Sequence, residues 1–159
     1  MSESEATQEF MKCCGSKRWA NTMIARRPFA TVEDLTRTAN DVWWSLNQDD
    51  WLEAFRSHPK IGEKKAAETV STQSQQWSGQ EQSGMRDAHV DTVDSLAQLN
   101  REYEAKFGFI FIVCATGKSA GEMLALLRQR IQNAPEAELP IAAAEQAKIT
   151  ELRLKKLIN

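Results

Sequence analysis

The sequence is poor in the two residues that most often interrupt helices. Its 159 residues include only seven glycines and four prolines. The long stretches between them carry apolar residues three and four positions apart, which is the spacing of one face of an α-helix. The sequence therefore predicts an all-α fold, a single compact multi-helix domain over residues 1–159, with no internal repeat and no linker.

Histidine and cysteine are also scarce, with two histidines and three cysteines in the chain. None of them has the C-x-x-C or H-x-x-x-H spacing of a zinc site, so we predict no metal. An odd number of cysteines, two of them adjacent, is not the spaced, even set of a secreted disulfide framework. We therefore interpret Cys13, Cys14 and Cys114 as reduced thiols and predict a cytoplasmic protein.

The chain has no excess of either charge sign. Lys and Arg number 20 against 22 Asp and Glu, which gives a formal net charge of −2 and argues against the broad basic surface of a nucleic-acid-binding protein. The longest apolar stretch, around residues 107–115, is too short to cross a bilayer, and the polar, acidic first residues differ from a secretory signal. We predict no nucleic-acid or membrane partner, and a small polar or neutral ligand instead.

Several helix starts and ends can be located from local signals. Thr31 is a good N-cap, and Ser119 with a glutamate three residues later forms a capping box, so helices are predicted to begin just after both residues. Another helix is predicted to begin at Asp49 and to end near His58, because Pro59 disfavours the α conformation in the residue before it. The apolar spacing predicts two longer helices, over about residues 86–106 and 142–157.

One segment does not fit a helical pattern. Residues 107–113 are aromatic and β-branched, and this composition favours a buried strand. No second convincing strand is present to pair with it, so the backbone groups of a lone strand would lack hydrogen-bond partners. Helix or irregular buried chain is the better prediction for this segment.

The Gly117-Lys118-Ser119 sequence resembles part of a phosphate-binding loop. That motif also requires a glycine five residues before Gly117, and Ile112 occupies this position. We therefore interpret these residues as a turn that leads into a capped helix.

His58 and Arg153 are ambiguous from the sequence alone. The C-terminal end of a helix dipole favours a protonated His58, and Pro59 restricts its placement, which suits an acid–base role. An ordinary surface histidine after a helix fits the same pattern. Arg153 lies about 100° around its helix from Leu154, so it either borders the buried face or lies on the solvated one.

Another set of polar residues lies within one short stretch of the sequence. Ser78, Glu81 and Gln82 supply a hydroxyl, a carboxylate and an amide, which together suit a urea-like or imide-like ligand. The same residues fit a capped helix start, with Ser78 as N-cap and Glu81 in the first turn. The two interpretations are compatible, since a capped helix gives these side chains a rigid base.

Three motifs in a fixed order resemble one known family. They are Phe55 to Gly62 (FRSHPKIG), Ser78 to Gln82 (SGQEQ) and Lys106 to Ala115 (KFGFIFIVCA). They look like the motifs of the 2-oxo-4-hydroxy-4-carboxy-5-ureidoimidazoline (OHCU) decarboxylases of purine catabolism, and the likeness extends from Gly15 to Leu154. One departure is Thr116-Gly117, where other members often carry an arginine after the alanine.

The resemblance implies an all-helical homodimer that converts OHCU into (S)-allantoin with no metal or organic cofactor. It implies His58 as the catalytic acid and Glu81 as a residue that binds substrate, and we hypothesise that Glu81 also orients His58. It also implies substrate contacts by Pro59, Ser78, Gln82, Phe111, Ile112, Val113, Cys114, Ala115 and Arg153. Two alternatives stay open, a non-catalytic helical protein that binds a ureido or hydantoin ligand and a thiol-dependent enzyme that uses Cys114.

Overall fold

The computed structural model describes residues 1–59 and 90–158. These residues form seven α-helices and contain no β-strand, so the all-α prediction is confirmed. None of the described helices is long and apolar enough to span a membrane. The helices are α1 (Glu3–Cys13), α2 (Lys17–Ala25), α3 (Val32–Ser45), α4 (Gln48–Arg56), α5 (Val90–Phe107), α6 (Ala120–Arg130) and α7 (Pro135–Ile158).

The chain divides into two compact units. Unit 1 comprises Met1–Ser57 together with Gln146–Asn159, and unit 2 comprises His58–Glu145. Helix α7 therefore begins in unit 2 and ends in unit 1. The single domain over residues 1–159 stays a prediction.

The core of unit 1 is built on large aromatic side chains. Trp19 of α2 is fully buried, and its indole N–H donates to the Ala39 carbonyl of α3 at 3.1 Å. Phe10 of α1 lies edge-on to Trp19, with ring centroids 5.8 Å apart. Trp43 of α3 packs on Phe55 of α4 at 6.5 Å. Because an aromatic side chain buries a large apolar area, these contacts fix α4 and hence the point where the chain leaves it.

The core of unit 2 joins α5, α6 and the irregular segment between them. Its buried members include Leu96 and Tyr103 from α5 and Met123 and Leu127 from α6. Aromatic rings gather around Tyr103, with the Phe107 centroid 4.5 Å away and the Phe111 centroid 5.4 Å away. Residues after α5 therefore contribute to the core although they are not helical.

The predicted helix ends are confirmed where local signals were strong. The Thr31 hydroxyl accepts from the backbone N–H of Asp34 at 3.0 Å and caps α3. Ser119 caps α6 in a complete capping box. Helix α4 ends at Arg56, close to the predicted point before Pro59.

The predicted start of the last helix was wrong. Helix α7 begins at Pro135 rather than near Ala142, and Pro140 lies inside it. A proline at the first helical position loses nothing, because that N–H has no partner within the helix. Pro140 removes one N–H that would bond to the carbonyl of Glu136, and the helix continues through this single omission.

Candidate functional site

The segment that connects α5 to α6 is irregular and buried. It leaves α5 at Gly108, whose φ of +83° is in the region that favours glycine. Phe111, Ile112, Val113, Cys114 and Ala115 are then 3%, 2%, 6%, 7% and 5% exposed. We call residues 111–115 the connecting segment. Of the two predicted alternatives, helix or irregular buried chain, the irregular one is correct for residues 111–115, and the strand propensity of these residues does not produce a strand.

Alternate residues of the connecting segment belong to the core of unit 2. Phe111, Val113 and Ala115 pack in the hydrophobic cluster with α5 and α6. Ile112 and Cys114 are equally buried but do not belong to that cluster. This alternation is typical of extended backbone, in which successive residues point to opposite sides.

Three charged side chains bind the backbone of the connecting segment, and we call them the charged trio. Arg130 Nη1 donates to the Ile112 carbonyl at 2.6 Å. Lys118 Nζ donates to the Cys114 carbonyl at 2.6 Å. A carboxylate oxygen of Glu145 accepts from the Cys114 N–H at 3.0 Å. The segment thus obtains from side chains the hydrogen bonds that a neighbouring strand would otherwise supply.

Arg130 is held in place by a buried polar network. Its Nε and Nη2 lie 2.7 and 2.6 Å from a carboxylate oxygen of Glu138, whose side chain is fully buried. The Tyr103 hydroxyl donates to the same oxygen, and Asn133 Nδ2 donates to the other one at 2.9 Å. Burial, with the hydrogen bond to Glu138, raises the pKa of Tyr103 above its usual range. The carboxylate therefore has several donors, as a buried charge requires.

Val113 lies between the bound Ile112 carbonyl and the two bound backbone groups of Cys114. Neither its N–H nor its C=O has a hydrogen-bond partner among the described residues. Buried backbone groups are almost always paired. Val113 thus presents one donor and one acceptor to whatever lies beside it, and this combination matches the N–H and C=O of an imide or ureide edge.

His58 and Pro59 come directly after α4. Ser57 is the C-cap of α4, and its hydroxyl donates to the Ala54 carbonyl at 2.6 Å. His58 and Pro59 are each half-buried and belong to unit 2, as the connecting segment does. The part of the sequence prediction that places His58 at a helix end is confirmed.

Arg153 lies on the buried face of α7, in unit 1. It is 4% exposed, and its Nη1 donates to the Lys12 carbonyl at 3.3 Å. Burial raises the pKa of the Cys13 and Cys14 thiols to about 12 each, and the nearby Arg153 charge partly opposes this rise. Of the two interpretations of Arg153, the buried one is correct.

The remaining predicted site residues lie outside the described part of the chain. Ser78, Glu81 and Gln82 all fall between residues 60 and 89, so their predicted roles stay predictions. Within the described ranges, no three His, Cys, Asp or Glu side chains are grouped in a way that could hold a metal ion.

The roles of the charged trio are not predicted by the sequence patterns described above. Arg130 carries the clearest signal, because it occurs three residues after Leu127 and seven after Met123, at core spacing on α6. A charged residue at such a position needs a buried partner. The pattern around Lys118 predicts only a turn, and Glu145 carries no local signal.

Comparison with known proteins identifies the family. The OHCU decarboxylase family profile matches residues 1–155. The chain is 40% identical over 152 residues to the uric acid degradation bifunctional protein TTL of Arabidopsis thaliana, covering 95% of this chain and 47% of that protein. It is 32% identical over 131 residues to the 2-oxo-4-hydroxy-4-carboxy-5-ureidoimidazoline decarboxylase of Xenopus laevis, covering 82% and 74%. The chain thus spans about half of the Arabidopsis relative, and 27% of the related bifunctional protein PucL of Bacillus subtilis.

A solved structure has the same fold. The crystal structure of an OHCU decarboxylase in the presence of (S)-allantoin superposes with a TM-score of 0.80 at 41% identity, covering 94% of this chain and 96% of that one. The family profile and this superposition each cover more than nine-tenths of the chain, and both identify the same family. The chain belongs to the OHCU decarboxylase family.

Proposed function

We propose that this chain decarboxylates OHCU to (S)-allantoin in urate breakdown. The observation that carries the proposal is the 41% identity with an OHCU decarboxylase crystal structure across 94% of this chain. The buried connecting segment supports it, because Val113 presents a donor and an acceptor of the kind that a hydantoin-like ring requires.

The substrate can supply the electron sink for this reaction. When the bond between the ring carbon and the carboxylate breaks, carbon dioxide leaves and the electron pair forms a C=C bond to the ring carbon that carries the ureido group. The π pair of that carbon's C=N bond moves to the ring nitrogen, which takes up a proton. The carbon that carries the ureido group is then protonated from one face, and the hydroxyl loses its proton to become the ring carbonyl. We therefore propose a reaction without a metal or organic cofactor, in which the protein orients the carboxylate and delivers the proton.

His58 is the residue that we propose as the catalytic acid. Its position directly after α4 and its half-buried state support this assignment. Glu81 is proposed to orient the imidazole, and Ser78 and Gln82 to bind the substrate with Pro59. A positioned acid or base contributes about 10²–10⁴-fold to a rate.

The connecting segment is proposed to bind the ring. Phe111 to Ala115 would lie along it, with hydrogen bonds to the N–H and C=O of Val113. Arg153 is proposed to bind the carboxylate or ureido group. Its burial supports a fixed guanidinium.

The test uses freshly generated OHCU and follows optical activity by circular dichroism. We expect rapid formation of one allantoin enantiomer with the wild type, and a rate about 10²–10⁴-fold lower with His58→Asn. His89→Asn is the matched control, because it removes the other histidine of the chain, to which no role is assigned. Wild-type turnover by His58→Asn would refute the assignment of His58.

The same assay separates the alternative functions. A racemic product at the uncatalysed rate would indicate a non-catalytic protein that binds a ureido or hydantoin ligand. Inactivation by Cys114→Ser would indicate a thiol-dependent enzyme. We expect Cys114→Ser to retain activity, because the thiol takes no part in the proposed chemistry.

We also propose that the protein acts as a homodimer in the cytoplasm. The Trp44 indole is 42% exposed, and aromatic side chains are common in subunit interfaces. The three buried cysteines form no disulfide, as is usual in a reducing compartment. Sedimentation velocity and cell fractionation test the two statements separately.

A further inference from the structure

The connecting segment has hydrogen bonds to side chains at some of its backbone groups and none at others. Its two peptide groups around Val113 show the pattern. In the first, Arg130 binds the Ile112 carbonyl, and the Val113 N–H has no partner among the described residues. In the second, Glu145 binds the Cys114 N–H, and the Val113 carbonyl has no such partner. Each peptide group is thus bound by a charged side chain at one end only.

Each charge has the sign that strengthens the hydrogen-bonding capacity of the other end of its peptide group. A cation at a carbonyl oxygen draws electron density away from the N–H and makes it a better donor. An anion at an N–H makes the carbonyl oxygen a better acceptor. Arg130 therefore enhances the Val113 N–H, and Glu145 enhances the Val113 carbonyl. These bonds are charge-assisted, which makes them the stronger class of hydrogen bond.

Lys118 extends the same pattern to the next peptide group. Its ammonium binds the Cys114 carbonyl, and the Ala115 N–H in that peptide group has no partner among the described residues. The backbone N–H of Lys118 also donates to the Ala115 carbonyl at 3.0 Å. Gly117, at φ +78°, allows the tight turn that brings Lys118 back over the segment.

We infer that the charged trio consists of positioning residues for ligand binding. Arg130, Lys118 and Glu145 bind one set of backbone groups and thereby fix and polarise the donor and acceptor of Val113 for a cyclic ureide. This inference rests on the proposed function for the nature of the ligand. It assigns to the three charged side chains an effect on affinity that is separate from their effect on folding.

The test compares variants of the two partly exposed members with matched controls. Glu145→Ala removes the acceptor, whereas Glu145→Gln retains an acceptor oxygen without its charge. Lys118→Met removes the ammonium, and Lys118→Arg retains a cationic donor. Lys106→Met is a control, because Lys106 Nζ also donates to a backbone carbonyl at 2.6 Å, but that of Ile131.

Steady-state kinetics with OHCU provide the first measurement. We expect Glu145→Ala and Lys118→Met to raise KM about three- to tenfold with kcat nearly unchanged, the size of effect of one weakened hydrogen bond. Glu145→Gln should give a KM between those of the wild type and Glu145→Ala, and Lys118→Arg should restore the wild-type KM. A structural role alone would lower the melting temperature and the active fraction, but not change the KM of the folded protein. Lys106→Met should therefore affect stability and not KM.

Calorimetric titration with (S)-allantoin provides the second measurement and separates the two proposals. If the wild type binds (S)-allantoin without turning over OHCU, the proposed function fails, and a Kd raised in the same variants still supports the positioning role. If the wild type is active and neither KM nor Kd differs between Glu145→Ala and wild type, the positioning role fails alone. Absence of both activity and binding overturns both proposals.

Discussion

Replacing Arg130 with methionine tests the buried ion pair of unit 2. The side chains of Arg130 and Glu138 are 8% and 0% exposed, and their charged atoms are 2.6 Å apart. Methionine fills a similar volume, but it leaves the Glu138 carboxylate without this cation and the Ile112 carbonyl without this donor. Removal of one partner of a buried ion pair costs about 3–5 kcal/mol. We expect the free energy of unfolding to fall by that amount.

Urea denaturation followed by circular dichroism measures this loss. Arg128→Met is the matched control, because Arg128 lies on the same helix but is exposed, and surface changes usually stay within about 0.5 kcal/mol. The double variant Arg130→Met, Glu138→Gln should lose less free energy of unfolding than the two single variants lose together, because neither charge is then left unpaired. We expect a coupling energy of about 0.5–3 kcal/mol. A loss below about 1 kcal/mol for Arg130→Met, or strict additivity, would refute the reasoning.

Two further predictions concern unit 1. Burial raises the pKa of the Cys13 and Cys14 thiols from 9.0 to about 12. As the pH rises, these thiols lose their protons in the unfolded chain before they do in the folded protein. The free energy of unfolding should therefore fall between pH 9 and 12. Urea denaturation at pH 8, 9.5 and 10.5 should show this fall, with a shallower slope in Cys14→Ala; an unchanged slope would contradict it. Gly15→Ala should lower the melting temperature, because its Cβ would lie 2.5 Å from the Ser57 side chain, whereas the control Gly121→Ala meets nothing closer than 3.9 Å. Equal melting temperatures for these two variants would show that Ser57 moves aside freely.

The features that the sequence predicts well depend on residues close together in the chain. Thr31 and Ser119 cap helices through backbone N–H groups three residues later. The end of α4 follows from the proline at position 59. Such signals need no knowledge of the rest of the fold, and this is why they could be located in the sequence.

The features that the sequence does not predict depend on distant residues. Glu145 binds a backbone group 31 positions away, and Arg130 binds one 18 positions away. An isolated glutamate on a helix gives no indication of such a partner. The predicted start of α7, after Pro140, was wrong, because the helix continues through this proline although one backbone hydrogen bond is lost there.

The connecting segment explains why strand propensity and an all-α fold are compatible here. A lone strand is unfavourable because its backbone groups lack partners. In this chain Arg130, Lys118 and Glu145 take the place of a neighbouring strand for the Ile112 carbonyl and for both backbone groups of Cys114. A central strand of a sheet has a neighbour on each side, and these neighbours together bind the backbone groups of every residue. The three side chains bind only the Ile112 carbonyl and the two groups of Cys114. Neither backbone group of Val113 has a partner among the described residues, so the arrangement that binds the segment without a sheet is compatible with the proposed contact between Val113 and a ligand.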